Sequence, residues 1–115
     1  MNSKRLQRVN ALIKREVSQL LLREVEFPEN TLVTITRVGT SDDLKESNVW
    51  VSVIPESEME KIIVFLNRRI YFLQQKINQR LRMKPIPKIR FLPEEKTSEA
   101  GRIEELLEKL KKGEK

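Results

Sequence analysis

The 115-residue sequence contains neither cysteine nor histidine. Disulfide bonds, thiolate nucleophiles and cysteine-ligated zinc are therefore excluded. Imidazole, the side chain most often used for proton transfer near neutral pH and the commonest nitrogen ligand for metals, is also missing. Any enzyme built from this chain would have to work with carboxylates. We therefore expect no enzymatic activity, no catalytic residues, no metal site and no cofactor, and we interpret the chain as a binding module.

Long hydrophobic runs are absent as well. No window approaches the roughly 18 uninterrupted apolar residues of a membrane span, and the start of the chain lacks the apolar segment of a signal peptide. We therefore expect a soluble, cytoplasmic protein. A chain of 115 residues can remove roughly two-thirds of its unfolded surface from water around one core, but it is too short for two cores.

Acidic residues are missing from one long stretch. Between Glu60 and Glu94 there is no aspartate or glutamate but nine lysines and arginines, so the net charge of +6 comes entirely from this segment. Concentrated positive charge attracts polyanions and releases their counterions on contact. The alternative is a solvated helix face, but helical surfaces usually mix both signs to gain i,i+4 pairs. We therefore favour contact with nucleic acid, and RNA in particular.

Hydrophobic periodicity predicts a first helix over residues 3–23, where apolar side chains recur at three- and four-residue steps. Two β-rich runs follow, at residues 32–40 and 48–54. The polar loop between them contains adjacent aspartates, which is typical of a hairpin. These two runs therefore predict an antiparallel pair. The second strand should face the core with Val49, Val51 and Val53.

A long helix is predicted after Pro55, opened by a capping box of Ser57 and Glu60. Its apolar stripe extends to Leu81, but Phe65 and Phe72 fall on the opposite side. Either these aromatic rings are exposed among cations, or the helix breaks between residues 68 and 72 so that each half buries a different edge. We favour the break, because large exposed aromatics are uncommon.

The end of the chain predicts one more strand and one more helix. Residues 88–91 alternate cations with apolar residues and form the third strand. From Ser98 an amphipathic helix is expected, with Ile103, Leu106, Leu107 and Leu110 on one face. The fold class is therefore α+β, a three-stranded sheet covered by helices plus a C-terminal amphipathic helix. We divide the chain into a folded domain at residues 1–93 and a C-terminal helix and flexible tail at residues 94–115.

The order α-β-β-α-(kink)-α-β is that of a type II KH-like domain, and two motifs narrow the resemblance. SDDLKESNVWVSV resembles the pattern Asp-Leu-x-x-Ala-x-Val-x-Val-Ser, and LRMKPIPKIRF resembles Leu-Arg-x-Arg-x-x-Pro-x-Leu-x-Phe. Together with RLQRVNALIKREVSQLL near the start, these motifs are similar to the ribosome-binding factor A family. The resemblance covers about residues 3–110.

Three departures from the family pattern matter. Ser47 stands where the family has alanine, and Lys84 stands where it has a second arginine. The segment RRIYFLQQ contains neither alanine nor glycine, although the family carries an Ala-x-Gly signature here instead of the Gly-x-x-Gly loop of ordinary KH domains. A glycine loop that clamps a phosphate chain is therefore not expected.

The resemblance implies a bacterial assembly factor that binds the immature small ribosomal subunit, assists late maturation of its ribosomal RNA and then leaves, without catalysing a reaction. The implied partners are the small subunit and its ribosomal RNA, with an assembly GTPase as a further candidate. We expect a monomer without a membrane partner. The predicted RNA-binding residues are Arg68, Arg69, Lys76, Arg80, Arg82, Lys84, Lys88 and Arg90, with Arg5 and Arg8 added because they match basic positions of the family.

Two other hypotheses remain open. The chain could be a protein-interaction adaptor that uses its basic face and its C-terminal amphipathic helix to bind an acidic partner. It could also be a carboxylate-dependent nuclease, but the basic segment contains no carboxylate. Trp50 and Tyr71 are candidates for base stacking, although we favour packing instead, most of all for Trp50 because valines flank it.

Overall fold

The computed structural model describes residues 3 to 95. The predicted C-terminal helix lies outside the described residues, and the division at residue 93 stays a prediction. The elements are α1 (Ser3–Glu24), β1 (Leu32–Thr40), β2 (Glu46–Ile54), a short 3-10 turn (Glu56–Glu58), α2 (Met59–Arg68), α3 (Ile70–Arg80) and β3 (Lys88–Pro93). This order confirms the predicted α+β architecture.

The three strands form one sheet in the order β1-β2-β3. β1 and β2 are antiparallel, as predicted, and their register runs from Leu32 opposite Ile54 to Thr40 opposite Ser47. β2 and β3 are parallel, with Glu46 opposite Lys88. Parallel neighbours need a crossover connection, and α2 and α3 supply it. The sequence left the order of the strands open, and the structure places β2 at the centre.

The core lies between one face of the sheet and the three helices. Alternation along β2 buries Val49, Val51 and Val53, and alternation along β3 buries Ile89 and Phe91. The helices contribute the other fully buried apolar side chains, which include Ile13, Val17 and Leu20 of α1, Leu66 of α2, and Leu73 and Ile77 of α3. Since side chains alternate across a strand, Trp50, Lys88 and Arg90 project from the opposite face of the sheet.

The outer edge of β3 is covered by two amide side chains. Asn67 donates to the carbonyl oxygen of Phe91 at 2.9 Å and accepts from the Phe91 amide at 3.1 Å. Gln74 accepts from the Ile89 amide at 2.8 Å and donates to the carbonyl oxygen of Pro87 at 3.0 Å. The crossover helices thereby satisfy backbone groups that would otherwise offer an edge for another strand.

A short chain of hydrogen bonds ties α1 to the hairpin. Thr40 donates its hydroxyl hydrogen to Asn10 Oδ1 at 2.6 Å, and its oxygen lies 2.7 Å from the hydroxyl oxygen of Ser47. A hydroxyl has one hydrogen, so Ser47 must be the donor to Thr40. Ser47 is completely buried. The serine that departs from the family motif is therefore a hydrogen-bonded part of the core.

The predicted opening of the long helix was wrong in detail. The 3-10 turn at Glu56–Glu58 comes between β2 and α2, and neither it nor α2 has a side-chain hydrogen bond at its N-cap. Ser57 lies inside this turn, so it does not form the predicted capping box. β2 also begins two residues earlier than predicted, at Glu46. No helix within residues 3–95 is long and apolar enough to cross a membrane.

Candidate nucleic-acid interface

The crossover helix breaks at Arg69. α2 ends at Arg68 and α3 begins at Ile70, while Arg69 itself has φ −91° and ψ 8°. These values lie outside the α-helical region, in the sparsely allowed bridge region. The break confirms the prediction from Phe65 and Phe72, and it occurs without alanine or glycine. It also turns α3 so that both aromatic rings pack, half-buried, against the core.

Arg69 holds the two sides of the break together. Its guanidinium carbon lies 5.8 Å from the ring centroid of Phe65 and 4.8 Å from that of Phe72. Lys76 adds its ammonium at 5.6 Å from the Phe72 ring. Contacts of this kind contribute about 0.5–1 kcal/mol at accessible sites. Arg69 and Lys76, both predicted RNA contacts, therefore also support the helix break through their aromatic neighbours.

The segment from α3 to β3 presents Arg82 and Lys84 to solvent. Leu81 is buried, and Met83 and Ile86 pack half-buried against the core. Arg82 and Lys84 alternate with these anchors and are exposed. Because the segment is fixed by its apolar residues, the two cations are held outward without needing an intramolecular partner.

Arg80 has a different environment from the other predicted contacts. Its guanidinium donates to Glu16 Oε1 and to Gln19 Oε1, both at 2.8 Å, and its side chain is 21% exposed. The hydrogen bond from Arg80 holds the pKa of Glu16 below its usual range. The structure thus places Arg80 in a link between α3 and α1, where it is less available to RNA than Arg82.

Arg5 and Arg8 share one side of α1 with this link. Arg5 lies about three helical turns before Glu16, and Arg8 lies about three turns before Gln19. Both arginines are therefore on the same side of α1 as the two residues that bind Arg80. Both are exposed. The N-terminal half of α1 reaches the end of the sheet, where Asn10 bonds to Thr40 and the Lys88 amide bonds to the Lys45 carbonyl. The segment bearing Arg82 and Lys84 runs to the same end.

We call this region, formed by Arg5, Arg8, Arg82 and Lys84, the basic end of the fold. The remaining predicted contacts are distributed around it. Arg68 is exposed at the helix break. Lys88 and Arg90 are exposed on the face of the sheet that does not pack against the helices. The structure therefore distributes the ten predicted residues over the basic end, the helix break, the sheet face and two positions of α3, where Arg80 links to α1 and Lys76 lies beside Phe72. They do not form one flat surface.

Sequence reasoning missed a cluster on this sheet face. The guanidinium of Arg37 lies 3.9 Å from the Trp50 ring centroid, and it also binds Glu94 at 2.9 Å. Thr36 donates to the same carboxylate at 2.6 Å. The hydrogen bond from Arg37 lowers the pKa of Glu94. Trp50 is thus packed, as predicted, but a cation from β1 covers its ring, so it is not open to an RNA base.

The prediction that Tyr71 packs was wrong. Its side chain is 77% exposed, because it projects from the first turn of α3 immediately after the break. The sequence pattern placed Tyr71 off the apolar stripe, and that signal was sufficient to expect exposure. The loop carboxylate Asp43 accepts from the Ser41 hydroxyl at 2.7 Å and the Lys45 amide at 3.0 Å, so it caps the turn between β1 and β2. The bond from Ser41 lowers the pKa of Asp43.

The sequence of this chain is similar to those of known proteins. The family model described as ribosome-binding factor A matches residues 5–107. A ribosome-binding factor A from Thermodesulfovibrio yellowstonii is 36% identical over 109 residues, which cover 95% of this chain and 92% of that protein.

Two structures of ribosome-binding factor A from another organism show the same fold. The crystal structure of ribosome-binding factor A from Thermus thermophilus has a TM-score of 0.67 at 25% identity, covering 76% of this chain and 94% of that one. A homology model of the Thermus thermophilus factor, fitted into the cryo-EM map of its complex with the 30S subunit, has a TM-score of 0.62 at 29% identity. It covers 72% of this chain and 88% of that one.

Proposed function

Because the chain belongs to the ribosome-binding factor A family, we propose that it is a ribosome biogenesis factor that binds the immature small ribosomal subunit. On this proposal it contacts ribosomal RNA through the basic end and the helix break, and it assists late maturation of that RNA without catalysing a reaction. The assembly GTPase and the monomeric state stay predictions. The neighbour that was fitted with a 30S subunit supports the choice of partner.

The observation that carries the proposal is the anchored segment that bears Arg82 and Lys84. Leu81, Met83 and Ile86 fix this segment to the core, so both cations are positioned before RNA arrives. A fixed backbone loses less conformational freedom on binding than a mobile loop, which favours recognition of RNA by shape. The absence of a glycine loop also favours phosphate contacts from side chains.

The direct test is co-sedimentation with small ribosomal subunits. The variant Arg82→Glu/Lys84→Glu should lose binding, since both residues are exposed and neither supports the core. The matched control is Lys14→Glu/Arg23→Glu, which makes the same charge change at two exposed positions of α1 outside the predicted set. The first variant should unfold in urea at the wild-type midpoint, and the control slightly below it, because Arg23 lies in the last turn of α1, where a carboxylate opposes the helix dipole. Wild-type binding by the first variant, or equal loss in both, would contradict the proposal.

Salt dependence supplies a second measure. If about five phosphates are neutralised, the logarithm of affinity should fall with the logarithm of salt concentration at a slope of about −3.5 to −4.5. Replacing Arg82 and Lys84 by alanine should reduce the magnitude of the slope by about 1.4–1.8, because each lost phosphate contact accounts for about 0.7–0.9. A slope near zero in the wild type would rule out an electrostatic RNA interface.

Nuclease treatment tests the adaptor hypothesis. An RNA-dependent factor should leave ribosomal particles when their RNA is digested, whereas an adaptor that binds an acidic protein should remain with its partner.

The hypothesis that this chain is itself a nuclease is tested by incubating the purified protein with magnesium and purified RNA. Glu16 pairs with Arg80 of the basic segment, but Arg15 binds it as well, so this carboxylate is neutralised and we expect no cleavage.

A further inference from the structure

Tyr71 is the one strongly exposed aromatic residue in residues 3–95. Its side chain is 77% exposed, whereas the other aromatic side chains are buried or half-buried. Tyr71 makes no hydrogen bond, ion pair or ring contact with another residue of the described chain. A large ring left without a packing role is uncommon in a small protein and indicates a binding surface.

The surface beside Tyr71 carries amides instead of charges. Gln75 and Asn78 are exposed along α3. Gln75 lies four residues after Tyr71, so their Cβ atoms are neighbours at roughly 5–6 Å on the helix surface. Gln74 turns away and binds the edge of β3, but Gln75 has no such partner within the described residues. A free amide, with both donors and an acceptor, therefore lies next to an open aromatic ring.

Cations stand on both sides of this uncharged stripe. Arg68 is exposed at the end of α2, one turn before Tyr71. Arg82 follows the end of α3 and is also exposed. The ligand chemistry that fits a ring, a neighbouring amide and flanking cations is a nucleotide whose base is unpaired, because a base within a duplex cannot present its face to a side chain.

We propose that Tyr71 is a stacking platform for one unpaired base of the RNA, that Gln75 hydrogen-bonds to the edge of that base, and that Arg68 contacts an adjacent phosphate. The inference rests on the proposed function, since it assumes that RNA is the ligand. It goes beyond that proposal by assigning a single-stranded nucleotide to the first turn of α3. The break at Arg69 has a direct role here, because it ends α2 beside the ring and leaves Arg68 and Tyr71 on adjoining turns.

Stacking and charge contacts can be separated by their salt dependence. A stacked ring displaces no counterions from the RNA, whereas a cation that contacts a phosphate does. Tyr71→Ala should therefore weaken binding without changing the slope of affinity against salt. Arg68→Ala should weaken binding and also reduce the magnitude of the slope by about 0.7–0.9.

The experiment measures binding to three probes: small ribosomal subunits, a short oligouridylate and an RNA duplex of the same total charge. Tyr71→Ala should weaken binding to the subunits and to the oligouridylate by about 5- to 150-fold, which corresponds to about 1–3 kcal/mol per stacked base. Tyr71→Phe keeps the ring and should remain within about twofold of the wild type by the same reasoning. Gln75→Ala should weaken binding by about 2- to 12-fold, the range of one hydrogen bond. Duplex binding should not change in any of these variants.

Gln79→Ala is the matched control, since Gln79 is an exposed amide of the same helix placed two turns from Tyr71. It should bind all three probes like the wild type. Wild-type affinity of Tyr71→Ala for the subunits, or an equal loss on the duplex, would overturn the stacking site. If Tyr71→Ala binds like the wild type but Arg82→Glu/Lys84→Glu loses binding, the stacking site is wrong and the proposed function still stands. If neither variant changes binding, both proposals fail.

Discussion

Replacing Asn67 by alanine should destabilise the domain by opening one edge of its sheet. The Asn67 amide makes two hydrogen bonds with the backbone of Phe91, at 2.9 and 3.1 Å. Phe91 is 1% exposed, so alanine leaves an amide hydrogen and a carbonyl oxygen with poor access to water. A typical intramolecular hydrogen bond contributes about 1 kcal/mol. The expected loss is therefore about 2 kcal/mol, which corresponds to about 8–16 °C in Tm for a domain of this size.

Urea unfolding followed by fluorescence measures this loss, because Trp50 is the one tryptophan of the chain. Hydrogen exchange shows which backbone amides lose protection. Asn67→Ala should accelerate exchange at the Phe91 amide and leave the Ile89 amide protected against local opening. Gln74→Ala should do the reverse, since Gln74 accepts from Ile89. Gln79→Ala serves as the control for removing an exposed amide.

An unchanged urea midpoint in Asn67→Ala would show that water replaces both hydrogen bonds at no cost. Acceleration at Ile89 and Phe91 alike, in either variant, would show that the edge opens as a unit. Either result would refute the inference that each amide side chain protects its own backbone pair.

Three further changes test the contacts around the core. Ser47→Ala should cost about 1 kcal/mol in urea unfolding, because it removes one buried hydrogen bond; a neutral result would mean that the hydroxyl does not stabilise the hairpin. Arg37 lowers the pKa of Glu94 below its ordinary value of 4.5. As the pH falls, the Glu94 carboxylate is therefore protonated in the unfolded chain before it is protonated in the folded one. The stabilisation is complete above the unfolded pKa and is lost as the pH falls through the folded pKa. The free energy of unfolding should therefore fall more steeply with decreasing pH in the wild type than in Glu94→Gln. Equal slopes would show that the ion pair of Arg37 and Glu94 does not stabilise the fold. Arg80→Glu should lower the urea midpoint because it sets two carboxylates together at Glu16, and an unchanged midpoint would show that the ion pair is not formed in solution.

The sequence predicted most of the architecture because its local patterns are consistent. The limits of β1 match the β-branched run, and alternation along β2 correctly selected the buried valines. The break was predictable because Phe65 and Phe72 conflict with the apolar stripe of one straight helix. A packing conflict within a helix therefore located the break even though no glycine or proline marks it.

Contacts between distant segments were not predictable in the same way. Arg80 and Glu16 are 64 positions apart, and Asn67 is 24 positions from Phe91. Periodicity identifies the face on which a side chain lies but not the partner that the fold brings to it. For this reason Arg80 was assigned to RNA together with Arg82, although one forms an internal ion pair and the other is exposed.

The two cations of β3 test how far the proposed RNA interface extends along the sheet. Lys88 begins the strand at the end of the sheet reached by α1, and its amide is bonded to Lys45 there. Arg90 lies about 6.6 Å farther along the same face, since a strand rises about 3.3 Å per residue. If RNA binds at the basic end, the contribution of a cation to binding should decrease along β3. Lys88→Glu should therefore weaken subunit binding more than Arg90→Glu, and it should reduce the slope of affinity against salt concentration more. Both side chains are exposed cations, so the two substitutions make the same change of charge at different positions. Equal effects, or a larger effect of Arg90, would instead place the interface across the open face of the sheet.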